Sequence, residues 1–109
     1  MPTTYKVLGQ VAPSATTATT AYTVPSATQA VVSTIAVCNR AATAATYRIA
    51  VRPAGATLAN EHYIAYDAAI SANNSTFITI GVTLAATDVI TVYASSANLS
   101  FSAFGSEIS

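Results

Sequence analysis

The sequence predicts an all-β chain, a small antiparallel β-sandwich or jelly-roll-like domain of about eight strands. Three observations carry that prediction. Apolar and polar residues alternate with a period of two through much of the chain, the pattern of strands with one buried face. Turn-forming residues punctuate these runs at short spacings. The length of 109 residues, 52% of them hydrophobic, suits a single domain over 1–109 with a core of its own.

Each element has its own justification. Tyr5 to Gln10 and Thr20 to Val24 are short strand candidates on either side of Pro13. After the pair Pro25-Ser26, Ala30 to Asn39 is apolar on both faces, as expected of a central strand in a two-layer fold. Thr46 to Arg52 alternates without a slip, with Tyr47, Ile49 and Val51 on one face and Arg48, Ala50 and Arg52 on the other. Pro53-Ala54-Gly55 ends it. Asn60 to Ser71 admits two drawings: a helix with a stripe at 63, 66, 67 and 70, or a strand with Ile64 and Tyr66 on one face. Asp67 interrupts the helical stripe, so strand is favoured. Thr76 to Val82 turns Ile78, Ile80 and Val82 inward, and Asp88 to Ala94 does the same with Ile90 and Val92. Asn98 to Gly105 closes the series, alternating Leu99, Phe101 and Ala103 against Ser100, Ser102 and Phe104. Alanine favours helix, but here Thr, Val and Ile dilute it and no other helix of useful length emerges.

The charged fraction is 7%, against about 25% in an ordinary domain. Small residues take the place of charge: 24 Ala, 17 Thr and 11 Ser. Four cations, Lys6, Arg40, Arg48 and Arg52, face four anions, Glu61, Asp67, Asp88 and Glu107. Such an inventory cannot build the basic footprint that nucleic acid requires, so no nucleic-acid partner is expected. Apolar stretches are only a few residues long, against the ~20 of a membrane span, and no membrane insertion is expected. Met1-Pro2-Thr3-Thr4-Tyr5-Lys6 lacks a basic start followed by an apolar core, which predicts no secretory signal and synthesis in a cytoplasm. A chain with net charge zero has little to keep its copies apart. It is expected to live in an assembly that covers much of its surface.

Little in the sequence carries chemistry. Cys38 lies in an apolar run and reads as a small core hydrophobe. His62 is the only histidine; no nucleophile elbow accompanies it, and a structural or surface role is favoured over a Ser-His-Asp site. No zinc spacing or calcium loop is present, and four dispersed glycines offer no phosphate loop. No catalytic residue, metal or cofactor is therefore assigned. The sequons at Asn73, Asn74 and Asn98 read as turn residues.

Two sets of residues remain as candidates. Arg40, Arg48, Arg52, Glu61 and Asp67 are rare charges suited to cross-strand pairing or to an interface between copies. Tyr63, Tyr66 and Tyr93 are candidates for stacking on a sugar, although tyrosines at alternating strand positions more often pack at a core edge.

Several runs together resemble a known class. Tyr22-Thr23-Val24-Pro25, Gln29 to Ile35, Val37-Cys38-Asn39-Arg40, Tyr47 to Gly55, Asp88 to Ser95 and Leu99 to Gly105 resemble small virion structural proteins of tailed bacteriophages, including cyanophages. The resemblance spans residues 1–109. It implies a many-copy, non-enzymatic particle component located in the virion after synthesis in the host bacterium. The implied partners are other copies, as a trimer or ring, and other virion proteins. The motifs do not separate a tail, neck or fibre component from a capsid decoration. The alternative is a carbohydrate-binding or adhesin-type module with a host-surface glycan as partner.

Overall fold

A computed structural model describes residues 3–109. Met1 and Pro2, which open the segment read for a secretory signal, lie outside the described residues. The strands are β1 (Thr3–Val11), β2 (Thr19–Thr23), β3 (Gln29–Asn39), β4 (Ala45–Arg52), β5 (Tyr63–Ile70), β6 (Ser75–Leu84), β7 (Val89–Ala94) and β8 (Leu99–Ile108). Short 3-10 turns occupy Pro53–Gly55 and Asn60–His62. The sheets are four-stranded, with orders β1-β8-β3-β6 and β2-β7-β4-β5, and every pairing is antiparallel. First strand pairs with last, second with next to last, third with sixth and fourth with fifth. An eight-stranded hairpin rolled into two sheets has that order, which makes the fold a jelly roll.

Alternation along each strand builds the core between the sheets. Tyr47 and Ile49 of β4 and Ile90, Val92 and Ala94 of β7 face Val32, Ile35 and Val37 of β3 and Leu99, Phe101 and Ala103 of β8, all buried. Tyr47 meets Phe101 edge to face with ring centres 6.2 Å apart, a geometry aromatic rings favour. Burial of each large side chain contributes roughly 1.5–3 kcal/mol before conformational entropy is subtracted. Ile78, Ile80 and Val82 point the same way but are only half-buried, because β6 is an edge strand.

The stretch 60–71 is a 3-10 turn followed by strand β5, with Ile64 and Tyr66 both exposed. The strand drawing is the observed one.

Two expectations are corrected. β3 is central in its sheet, yet only one of its faces is covered: Ala30, Val32, Ile35, Val37 and Asn39 are buried, while Val31, Ala36 and Cys38 are half-buried. Cys38 is therefore not a core residue. Its neighbours Val37 and Asn39 take the inward positions, and strand parity turns Cys38 to the outer face. The strand covered on both faces is β7, whose outward Val89 and Thr91 are also buried. The reason lies in the segment after β4. Arg52 Nε donates to Thr91 Oγ1 at 3.0 Å and its Nη1 to the Ala56 carbonyl at 3.0 Å, while the Ala54 N–H donates to Asp88 Oδ1 at 2.8 Å. These bonds hold residues 53–56 against the outer side of β7 and β4.

Asn39, like Thr91, is a buried polar residue that the sequence did not single out. Its Nδ2 donates to the Thr43 and Ser71 carbonyls at 2.9 and 3.2 Å, and its Oδ1 accepts from the Ala41 N–H at 3.0 Å. Buried amides persist only when so satisfied, and this one ties two loops to the end of β3.

Candidate functional site

Pairing of β4 with β5 shifts register twice, between Tyr47 and Ile49 and again between Ile49 and Ala50. Tyr47 opposes Ala68 and Ile49 opposes Ala65, so Tyr66 and Asp67 both stand against Arg48. This is a β-bulge, which adds one residue to one strand and re-aims its side chains. Asp67 accommodates it with φ at +50°, a conformation aspartate tolerates better than most residues.

The bulge assembles a cluster around one guanidinium. Arg48 Nε donates to Asp67 Oδ1 at 2.7 Å and Nη2 to Oδ2 at 3.3 Å, a two-point contact that matches the fork of arginine to a carboxylate. The guanidinium carbon lies 4.2 Å from the Tyr66 ring centre and 4.3 Å from that of Tyr93, which is the cross-strand neighbour of Arg48 on β7. Arg48 is thus held between two aromatic faces. The hydrogen bonds that Arg48 donates to Asp67 raise the arginine's pKa above the ordinary value; desolvation opposes this, and the charges of Asp67, Tyr66 and Tyr93 add to it.

Tyr63 extends the cluster. Its ring lies 4.9 Å from that of Tyr66 at 82°, and the two rings with Asn60 line a cleft of about 480 Å³. The turn before Tyr63 is closed reciprocally: the His62 N–H donates to the Ala59 carbonyl and the Ala59 N–H donates to His62 Nδ1, both at 3.1 Å. His62 acts here as a clasp on the backbone.

The charge candidates separate. Arg48 and Asp67 are brought together with Tyr66 and Tyr93. Arg52 instead anchors residues 53–56 to Thr91, and Arg40 donates to the Ala97 carbonyl at 3.1 Å across a loop. Glu61 is exposed on the turn beside the cleft. Among the described residues no group of three or more His, Cys, Asp or Glu is gathered.

The outer face of the other sheet has a different character. The registers of β1, β8, β3 and β6 place Tyr5, Val7, Phe104, Val31, Ala36 and Phe77 there, with Ser and Thr between them. No Asp, Glu, Lys or Arg occupies an outward position of these strands. Tyr5 is 85% exposed and Phe77 68%. A shallow hollow edged by Tyr5, Val31 and Phe104 lies over Gly105, with Lys6 bordering it from the β1 edge. At the β1 edge, Lys6 Nζ donates to Glu107 Oε1 at 3.1 Å and the Tyr22 hydroxyl to Glu107 Oε2 at 2.6 Å. That contact crosses from one sheet to the other. Burial raises the Tyr22 pKa, reinforced by Glu107; the bond from Tyr22 is the largest cause holding Glu107 below its ordinary value.

The sequence identified the tyrosines and arginines as separate sets. What joins them is the β5 bulge, for which the only local signal is Asp67 breaking an otherwise apolar run. The uncharged face was legible only as an overall charge deficit, without its location. Comparison of the chain with protein-family models, curated proteins and solved structures gave no match.

Proposed function

We propose that the protein is a non-enzymatic, many-copy structural component of a tailed-bacteriophage virion, tail-, neck- or fibre-associated or capsid-decorating. Its copies join into a symmetric oligomer, a trimer or ring, through the outer face of the β1-β8-β3-β6 sheet. The observation that carries this reading is the absence of outward charge across four adjacent strands that leave Tyr5, Val7 and Phe77 exposed. Exposed apolar patches of a few hundred Å² mark interaction surfaces. Strands ~4.8 Å apart and about ten residues long cover roughly 650 Å², close to the ~800 Å² each partner contributes to a stable interface. A neutral face does not repel neighbouring copies, and in a trimer or ring one part of it meets a different part on the next subunit, so that the contact closes by rotation. The Ser and Thr hydroxyls between the apolar groups supply the hydrogen bonds and bridged waters that such interfaces use. The function is then mechanical: matched surfaces are buried between copies and against the particle. The resemblance noted in the sequence supports the same setting.

Sedimentation across a concentration series tests the assembly. A discrete oligomer is expected, with Val31→Glu and Phe77→Glu each weakening it by about 100-fold through a buried unpaired charge. Phe77→Glu keeps the monomer fold, because it replaces a side chain that is 68% exposed, and Val31→Glu, at a half-buried position, is checked for an unchanged fold by circular dichroism. A wild-type chain that stays monomeric at about millimolar concentration overturns the interface. Mass spectrometry of purified particles of the encoding phage tests the location, and absence of the chain from them overturns the virion reading.

A further inference from the structure

From the opposite side of the sandwich we infer a second capability: the cleft of Asn60, Tyr63 and Tyr66 binds a neutral sugar ring. The cleft is an open hollow of about 480 Å³, a surface on which a ring lies against the tyrosines without being enclosed. The Tyr63 and Tyr66 rings stand nearly perpendicular and form a corner. A pyranose has a flat face of C–H groups that packs on an aromatic surface and a rim of hydroxyls that both donate and accept. The corner offers the first an apolar ring and the second two phenol hydroxyls, while the Asn60 amide donates and accepts in its turn.

The corner is also held before any ligand arrives. Arg48 backs Tyr66 and is itself fixed by Asp67, and the His62 clasp sets the turn that carries Asn60. Binding then orders few side chains, which removes a main cost of association. Charge selects the class of sugar. The Arg48 cation is already matched by Asp67, and Glu61 stands exposed on the turn beside Asn60. A neutral pyranose suits this cleft; an acidic sugar does not. The site lies on the face away from the proposed subunit interface, so either reading can fail without the other.

Titration of the full chain followed by ¹H–¹⁵N spectra tests the inference. The probes are methyl glucoside, galactoside and mannoside, N-acetylglucosamine, and N-acetylneuraminic acid as the charged comparison. At least one neutral sugar is expected to give saturable shifts confined to Arg48 and residues 60–67, with a dissociation constant of about millimolar order. Tyr66→Ala weakens that binding about 10-fold or more, Asn60→Ala about 5-fold, and Tyr66→Phe, which keeps the ring, leaves most of it. Tyr5→Ala, on the other face, changes nothing. Should Tyr66→Ala disturb the fold, Asn60→Ala on the exposed turn carries the same test. No saturable shift with any neutral sugar up to about 50 mM overturns the inference. So does binding that survives both Tyr66→Ala and Asn60→Ala, or tighter binding of the acidic sugar.

Discussion

On the outer face of β2-β7-β4-β5, Arg48 sits between two tyrosine rings with its fork on Asp67, and Arg52 draws residues 53–56 over Thr91. On the outer face of β1-β8-β3-β6 the outward strand positions carry no charge, Lys6 borders the hollow from the β1 edge, and the close fit of the sheet lies in the backbone. Within the sheet, a Cβ on Gly105 would overlap the Val31 carbonyl oxygen; between the sheets, one on Gly9 would overlap the Ala21 carbonyl oxygen of β2. Both sheets have four strands and share one core. They differ in what lies outside it: one face is organised by side chains that satisfy one another, while the other is left neutral and open. The lesson concerns scarce charge. With eight charged residues in the chain, concentrating Arg48, Arg52 and Asp67 on one outer face leaves the outward strand positions of the other uncharged, so that face does not repel neighbouring copies.

The largest expected effect probes the backbone packing of the open sheet. Gly105→Ala places a methyl group against β3 backbone and is expected to cost about 3 kcal/mol or more in urea unfolding. Gly81→Ala on edge strand β6 meets open space and leaves stability unchanged or raises it by about 0.5 kcal/mol. Equal costs at the two positions would remove the argument that β8 and β3 depend on close approach.

Next comes a matched pair of alanines, each outward and in the middle of a strand. Ala50 is 1% exposed beneath the covered face, whereas Ala36 is half-buried on the open one. Ala50→Leu is expected to cost about 1–3 kcal/mol by overpacking, and Ala36→Leu less than about 0.5 kcal/mol. Similar values for both would mean that the segment between β4 and β5 does not seal its face.

The smallest effect lies at the seam between the sheets. Tyr22→Phe removes the hydroxyl that donates to Glu107, at a cost of about 1 kcal/mol at neutral pH. Glu107 is depressed below its ordinary 4.5. A carboxylate so depressed contributes stability above its unfolded value and loses it as pH falls through the folded one. The gap between wild type and Tyr22→Phe therefore narrows below about pH 4.5, as thermal melts across pH would register. A gap that stays constant to low pH would show that the hydroxyl acts by packing alone.

Legibility in the sequence followed the range of each interaction. The inward sets Tyr47 and Ile49, Ile90 and Val92, and Leu99, Phe101 and Ala103 could be read directly, since strand parity is a property of neighbouring residues. Asn39 and Cys38 could not. Both end an apolar run, and which of them turns inward depends on the phase set by Val37 against the opposite sheet. The tyrosines of the cleft were visible as stacking candidates that more often pack at a core edge, but nothing local brings Tyr66, Asp67 and Tyr93 to one arginine.

By itself, then, the sequence determined the all-β class, most of the strands, their inward faces and the shortage of charge, because period-two alternation and turn chemistry act within a few residues. Only the tertiary structure decided that the strands roll up first against last, that β7 and not β3 is covered on both faces, and that a bulge in β5 gathers Arg48, Tyr66, Asp67 and Tyr93. Those outcomes depend on register between strands far apart in the chain. A residue-by-residue pattern carries the parity of each strand but not the partner it will meet.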